Sequence, residues 1–166
     1  MMKLGELTGQ KLKWVQPHAF KLEYELQAGD KTAATLRYPR FFDTFAIASS
    51  ADGTWTFKGG DFRQPTVTIR TFGAETDLAV FKCNIWAGGG KLELPDGRKY
   101  QGQLTRRGLE YSLKSETGEM LVSYRKMIPI FEILRMSAET QIHYRAKDFV
   151  EMPWIVILGW HLVLVI

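Results

Sequence analysis

The chain has 166 residues, enough for one domain, 1–166, with a substantial core, and 24% charged with 45% hydrophobic residues is the balance of a globular protein, which excludes a disordered chain. A net charge of +4 permits an acidic partner without demanding one. The single cysteine, Cys83, excludes an internal disulfide and a cysteine-held zinc.

The N-terminal Met1-Met2-Lys3-Leu4-Gly5-Glu6 has no apolar signal core, so a cytoplasmic protein is expected. From Lys11 onward the chain reads as short strands separated by turn residues, and its 13% aromatic share suits them. Residues 20–26 alternate apolar and charged, the period of a strand with one dry face, and Gly29-Asp30 turns it. Strands follow at 32–38 and 45–50; Asp52-Gly53 marks a hairpin into 54–58. Residues 66–70 and the longer run 78–86 come next, then Ala87-Gly88-Gly89-Gly90 releases the chain into 91–94. Pro95-Asp96-Gly97 turns it again, and 99–104, 110–113 and 120–126 bring the count to ten. Residues 131–134 and 141–144 supply two more.

The chain closes on Met152-Pro153-Trp154-Ile155-Val156-Ile157-Leu158-Gly159-Trp160-His161-Leu162-Val163-Leu164-Val165-Ile166, apolar on every side and without a full charge. As a helix it is roughly 22 Å long, short of the ~30 Å hydrocarbon core of a bilayer. Pro153 suits a first helical turn, and Asp148 or Glu151 would cap or complement its positive end. The β-branched run at 155–157 suits a buried strand as well, and periodicity does not separate the two, although length favours the helix. A dozen short strands tend to close, because twist and unpaired edges disfavour an open sheet. A barrel that size has an interior too wide for its own side chains, and the apolar stretch is the natural filler. The expected fold is therefore all-β with one C-terminal helix: a closed antiparallel barrel of about twelve strands around that helix.

Three features carry a resemblance to a known family: the hairpin Asp52-Gly53-Thr54-Trp55-Thr56-Phe57, the segment Gly90-Lys91-Leu92-Glu93-Leu94 followed by Asp96-Gly97-Arg98-Lys99-Tyr100, and the apolar tail from Met152. With these the chain resembles the tubby C-terminal domain superfamily, in the branch of the phospholipid scramblases and LURP-one-related proteins. The resemblance implies a twelve-stranded barrel around a hydrophobic helix and a link to membrane lipid. It carries over no site residue, since there is no cysteine cluster or acidic calcium segment like that of the scramblases, and no tubby lipid motif.

His18, His143 and His161 lie far apart, without metal-ligand spacing, and no metal or cofactor is expected. His161, inside an apolar stretch, is read as a neutral core histidine bonded to a strand carbonyl, or else as a polar group lining an internal cavity. Cys83 reads as a buried, unreactive thiol, and no acid–base pair suggests an enzyme. Most Trp and Phe fall on inward strand faces, which leaves no aromatic platform for nucleic acid. The basic residues remain. Lys11 and Lys13 share one face of a strand; Arg37, Arg40, Arg98, Lys99, Arg106 and Arg107 sit at or near turns; Arg125-Lys126 ends a strand. If several of them meet at one end of the barrel, they form a site for anionic phospholipid at a membrane surface. The expected function is a monomeric, non-enzymatic binding or scaffold module, cytoplasmic or peripheral to a membrane, for such a lipid or a protein partner. The alternative is a protein anchored in a membrane by an exposed C-terminal tail.

Overall fold

The computed structural model describes residues 1–41, 44–60, 65–84, 86, 88–105, 109–127 and 135–165. A short 3-10 turn at Leu4–Leu7 precedes twelve strands. These are β1 (Leu12–Val15), β2 (Glu23–Ala28), β3 (Lys31–Arg37), β4 (Phe45–Ser50), β5 (Gly53–Gly59), β6 (Thr66–Thr71), β7 (Asp77–Asn84), β8 (Gly89–Glu93), β9 (Lys99–Thr105), β10 (Glu110–Ser115), β11 (Met120–Met127) and β12 (Ser137–Ile142). A second 3-10 segment, Tyr144–Asp148, leads into α1 (Met152–Val165), the single α-helix among the described residues. Every strand pairs antiparallel with its neighbours in sequence, and β1 pairs with β12 to close the barrel.

The number of strands is as expected, but not every one of them is. A four-residue β1 with Leu12 and Trp14 inward is a full member of the barrel. The last strand is Ser137–Ile142 rather than 141–144, since Ala138 and Thr140 face inward and give the segment little apolar signal. The expected strand at 131–134 lies outside the described residues.

Alternation sends Tyr24, Leu26, Leu36, Trp55, Phe57, Ile69, Phe81, Leu92, Tyr111 and Tyr124 to the inside. Lys13, Lys82, Lys91 and Gln101 remain on the outside. Apolar inside and charged outside is the reverse of a barrel that spans a membrane. Small inward residues, Ala34, Ala46, Ala48, Ala79 and Ala138, leave the axis clear for α1. Ladder irregularities at Leu26/Gln27, Ile69/Arg70 and Leu113/Lys114 add the local twist that closure requires.

The helix fills the space so created. Side chains from Trp154 to Val163 are buried on all sides, which is why no polar stripe is present. Trp160 stacks on Trp14 at 5.7 Å with nearly parallel rings and meets Tyr24 edge-on. The Tyr124 hydroxyl donates to the Val156 carbonyl at 2.5 Å. That contact needs Gly159, because a Cβ there would stand inside the Tyr124 ring and hydroxyl. No described helix is long and apolar enough to cross a membrane.

An up-and-down order gives the barrel two unlike ends. Tight turns at 29–30, 51–52, 72–76, 94–98 and 116–119 lie at the end where α1 begins, the turn end. The connections β1–β2, β3–β4, β5–β6, β7–β8, β9–β10 and β11–β12 lie at the other, the loop end, where α1 finishes.

Candidate functional site

The interior holds one imidazole. His161 is buried, and its Nδ1 shares a 2.6 Å hydrogen bond with the Tyr38 hydroxyl, so a tyrosine rather than the expected strand carbonyl satisfies it. The two rings stack at 5.6 Å, and Phe57 closes a further side at 5.5 Å. Burial pushes the His161 pKa down to about 4 and the Tyr38 phenol up, the neighbouring Tyr24 adding to the latter. Both groups are therefore neutral near pH 7. An unfolded histidine near 6.5 binds a proton more readily than this one, so its stabilising contribution is complete above pH 6.5 and lost as pH falls through 4. The loss is about 3 kcal/mol. Urea unfolding of His161→Gln beside the native chain should show that pH-dependent difference over this window; parallel pH profiles would contradict it.

Trp14 Nε1, Trp160 Nε1, the Tyr111 hydroxyl and Thr140 Oγ1 are buried without a protein partner among the described residues. Partial burial raises the Cys83 thiol pKa, which favours the protonated, unreactive form. Among the described residues no three His, Cys, Asp or Glu side chains group as metal ligands would.

At the turn end the helix entrance is held by charge. Arg98 donates to both carboxylate oxygens of buried Glu151, Oε2 at 3.2 Å, while Tyr100 donates to Oε2 at 3.1 Å. Arg98 also grips Asp96 at 2.7 Å, and the two carboxylates hold its guanidinium in the charged form. Glu151 thus sits just before the helix, near its positive end, and locks the last element to β9.

The basic residues singled out in the sequence divide between the two ends. Lys11, Arg98 and Lys99 lie at the turn end, and Arg98 is engaged with Asp96 and Glu151. Lys13 is midway along β1, directly opposite Glu139. Arg37 and Arg40 lie together at the loop end, both exposed. Arg106 and Arg107 lie outside the described residues.

A groove of about 760 Å³ crosses the outer wall over β1, β12 and β11. Along it Lys13, Glu139, Arg125 and Glu110 sit opposite one another in successive strands and alternate in sign. The row itself is balanced, and Lys11, which also lines the groove, leaves it a single net positive charge, so the groove's volume does not make it a strong anion site.

The loop end is different. Phe20 is 79% exposed, Phe41 63% and Trp86 100%. Leu109, Met127, Met136 and the helix terminus at Val165 are exposed beside them. Phe20, Phe41, Trp86, Leu109 and Met136 come from the β1–β2, β3–β4, β7–β8, β9–β10 and β11–β12 connections, while Met127 ends β11 and Val165 ends α1, so apolar residues ring the rim. Among the described residues of those connections Lys21, Arg40 and Arg135 are charged and none is acidic. The turn end carries Asp30, Asp52, Glu75, Asp96, Glu116 and Glu119 in its turns. The hairpin turns at the two ends thus differ, apolar tips with cations at the loop end and acidic turns at the other, although Phe72, Tyr144 and Val150 are exposed at the turn end as well, where Arg145 and Lys147 also lie.

Sequence reasoning missed the rim because it placed Phe20 in a strand at 20–26 and Trp86 in one at 78–86. β2 begins at Glu23 and β7 ends at Asn84, which leaves both aromatics in connections and facing solvent. Trp14, Trp55, Trp154, Trp160, Phe57 and Phe81 do face inward or lie in the core, as expected. No protein-family model, curated protein or solved structure matches the chain.

Proposed function

We propose that this chain is a non-enzymatic, cytoplasmic binding module of the tubby-like barrel class that docks as a monomer, by its loop end, on an anionic membrane surface. One observation carries the reading. The described residues of the loop-end connections combine exposed aromatic tips with Lys21, Arg40 and Arg135, Arg37 ends the adjoining strand, and by sequence the connections as a whole carry six basic residues (Lys21, Arg40, Arg63, Arg106, Arg107, Arg135) against three acidic ones (Asp43, Asp61, Glu132). Each such cation near an anionic leaflet is worth about 1 kcal/mol, and the attraction decays within a Debye length of about 10 Å at 0.1 M salt. The acidic turns at the opposite end are repelled by the same surface, which orients the approach.

The second reading, a C-terminal membrane anchor, requires α1 to leave the barrel. Burial of Trp154 to Val163 in the core favours the first reading.

Flotation with neutral and anionic liposomes at low and high salt tests it. The native chain should float with anionic vesicles at low salt. Replacing Lys21, Arg37 and Arg40 together by Gln should weaken that binding roughly a hundredfold. Equal flotation with neutral vesicles and no effect of the triple substitution would contradict the reading and point to the helix as anchor. No flotation at all would turn the search to a protein partner.

A further inference from the structure

Charge alone leaves the aromatic tips unexplained. A side chain as large as Trp86, fully exposed, gains nothing from water and is too far from the core to support it. Phe20 is followed in sequence by Lys21, and Phe41 is preceded by Arg40, so two of the tips have a cationic neighbour in the chain. Aromatic rings at headgroup depth with cations just behind them match the layering of a bilayer interface.

Their spacing around the barrel adds a constraint. Phe20 lies in the connection after β1 and Trp86 in the one after β7, so half of the twelve strands separate them in either direction. They occupy opposite sides of the rim. A flat surface reaches both only when it lies across the barrel mouth.

Resting on the docking reading above, we infer that Phe20 and Trp86 insert into the interfacial layer of an anionic bilayer and hold the barrel upright, its axis near the membrane normal. The cations bring the rim to the surface; the two rings then keep it there when salt screens the charges. The acidic turn end faces away from the bilayer, free for other contacts.

The chain contains its own reporter. Of its five tryptophans Trp86 is exposed, whereas Trp14, Trp55, Trp154 and Trp160 are buried. With the full chain and vesicles of phosphatidylcholine and phosphatidylserine, Trp86 emission should shift to the blue, and brominated acyl chains should quench it. Trp86→Phe should abolish that signal and retain binding. Phe20→Ser with Trp86→Ser should lose roughly ten- to hundredfold of the binding that persists at about 1 M salt, where the Debye length is only 3 Å. Both positions are exposed, so folding should be unchanged, checked by thermal unfolding.

Anionic binding that salt fully reverses, with no change in Trp86 emission, would overturn the insertion and leave charge-driven docking standing. Absence of binding to any vesicle would overturn both. A blue shift that grows with protein concentration in the absence of lipid would overturn the inference by identifying the rim as a contact between two copies of the chain.

Discussion

A chain ending at Glu151 should not fold: its circular dichroism should lack a cooperative thermal transition, and proteases should degrade it throughout. The reason lies in what the helix occupies. Every side chain from Trp154 to Val163 is buried, and Trp14, Tyr24 and Phe57 make their ring contacts with its residues. Loss of each large buried side chain costs about 2 to 5 kcal/mol, against a total stability of about 5 to 15 for a typical domain. Several such losses exceed the whole. Water entering the empty barrel does not offset them, because the inward faces are apolar. A truncated chain that unfolds cooperatively, with a native-like midpoint, would show that the strands close without their filler.

One methyl group at the same helix should remove a large part of the stability. Gly159→Ala puts a Cβ where the Tyr124 ring and hydroxyl now stand, within a helix that has no exposed side to move toward. Overpacking of this kind typically costs 1 to 3 kcal/mol, and here the Tyr124 to Val156 hydrogen bond is displaced as well. Chemical unfolding should show a loss of about 3 kcal/mol or more. Tyr124→Ala frees the space, so the double variant should be less destabilised than the sum of the two single ones. Additive losses would mean that the helix is not seated against β11 by this contact.

Much of the fold was legible from the chain. Strict alternation at 20–26 and 54–58, with glycine-bearing turns between strands, places Tyr24, Leu26, Trp55 and Phe57 inside without tertiary information, but it also assigns Phe20 to the dry face, and that residue is exposed ahead of β2. The barrel followed from strand number, and its filler from an apolar stretch with no polar face. Three things were not legible. Helix and strand compete for Ile155-Val156-Ile157, and what decides between them is a cylindrical space that exists only after closure. Weakly patterned strands such as Ser137–Ile142 are defined by their partners rather than by their own residues. The Tyr38 to His161 bond joins residues 123 apart in sequence, and nothing local in either segment announces it.

The rim was hidden for a different reason. Residues at turns were grouped by type, whereas an up-and-down barrel sends successive connections to alternate ends. Arg40 lies in the third connection and Arg98 in the eighth, so they cannot share a surface. The same alternation unites Phe20, Phe41, Trp86, Leu109 and Met136, all in odd-numbered connections. The signal was present in the order of the strands, once each connection was numbered.

Amide hydrogen exchange of the chain with and without anionic vesicles tests the docking surface most directly. Slowed exchange at 16–22 and 38–41, with unchanged exchange in the turns at 29–30, 51–52 and 116–119, is the result expected if the loop end meets the bilayer. Protection of those acidic turns instead, or of the outer groove over β1, β12 and β11, would contradict it.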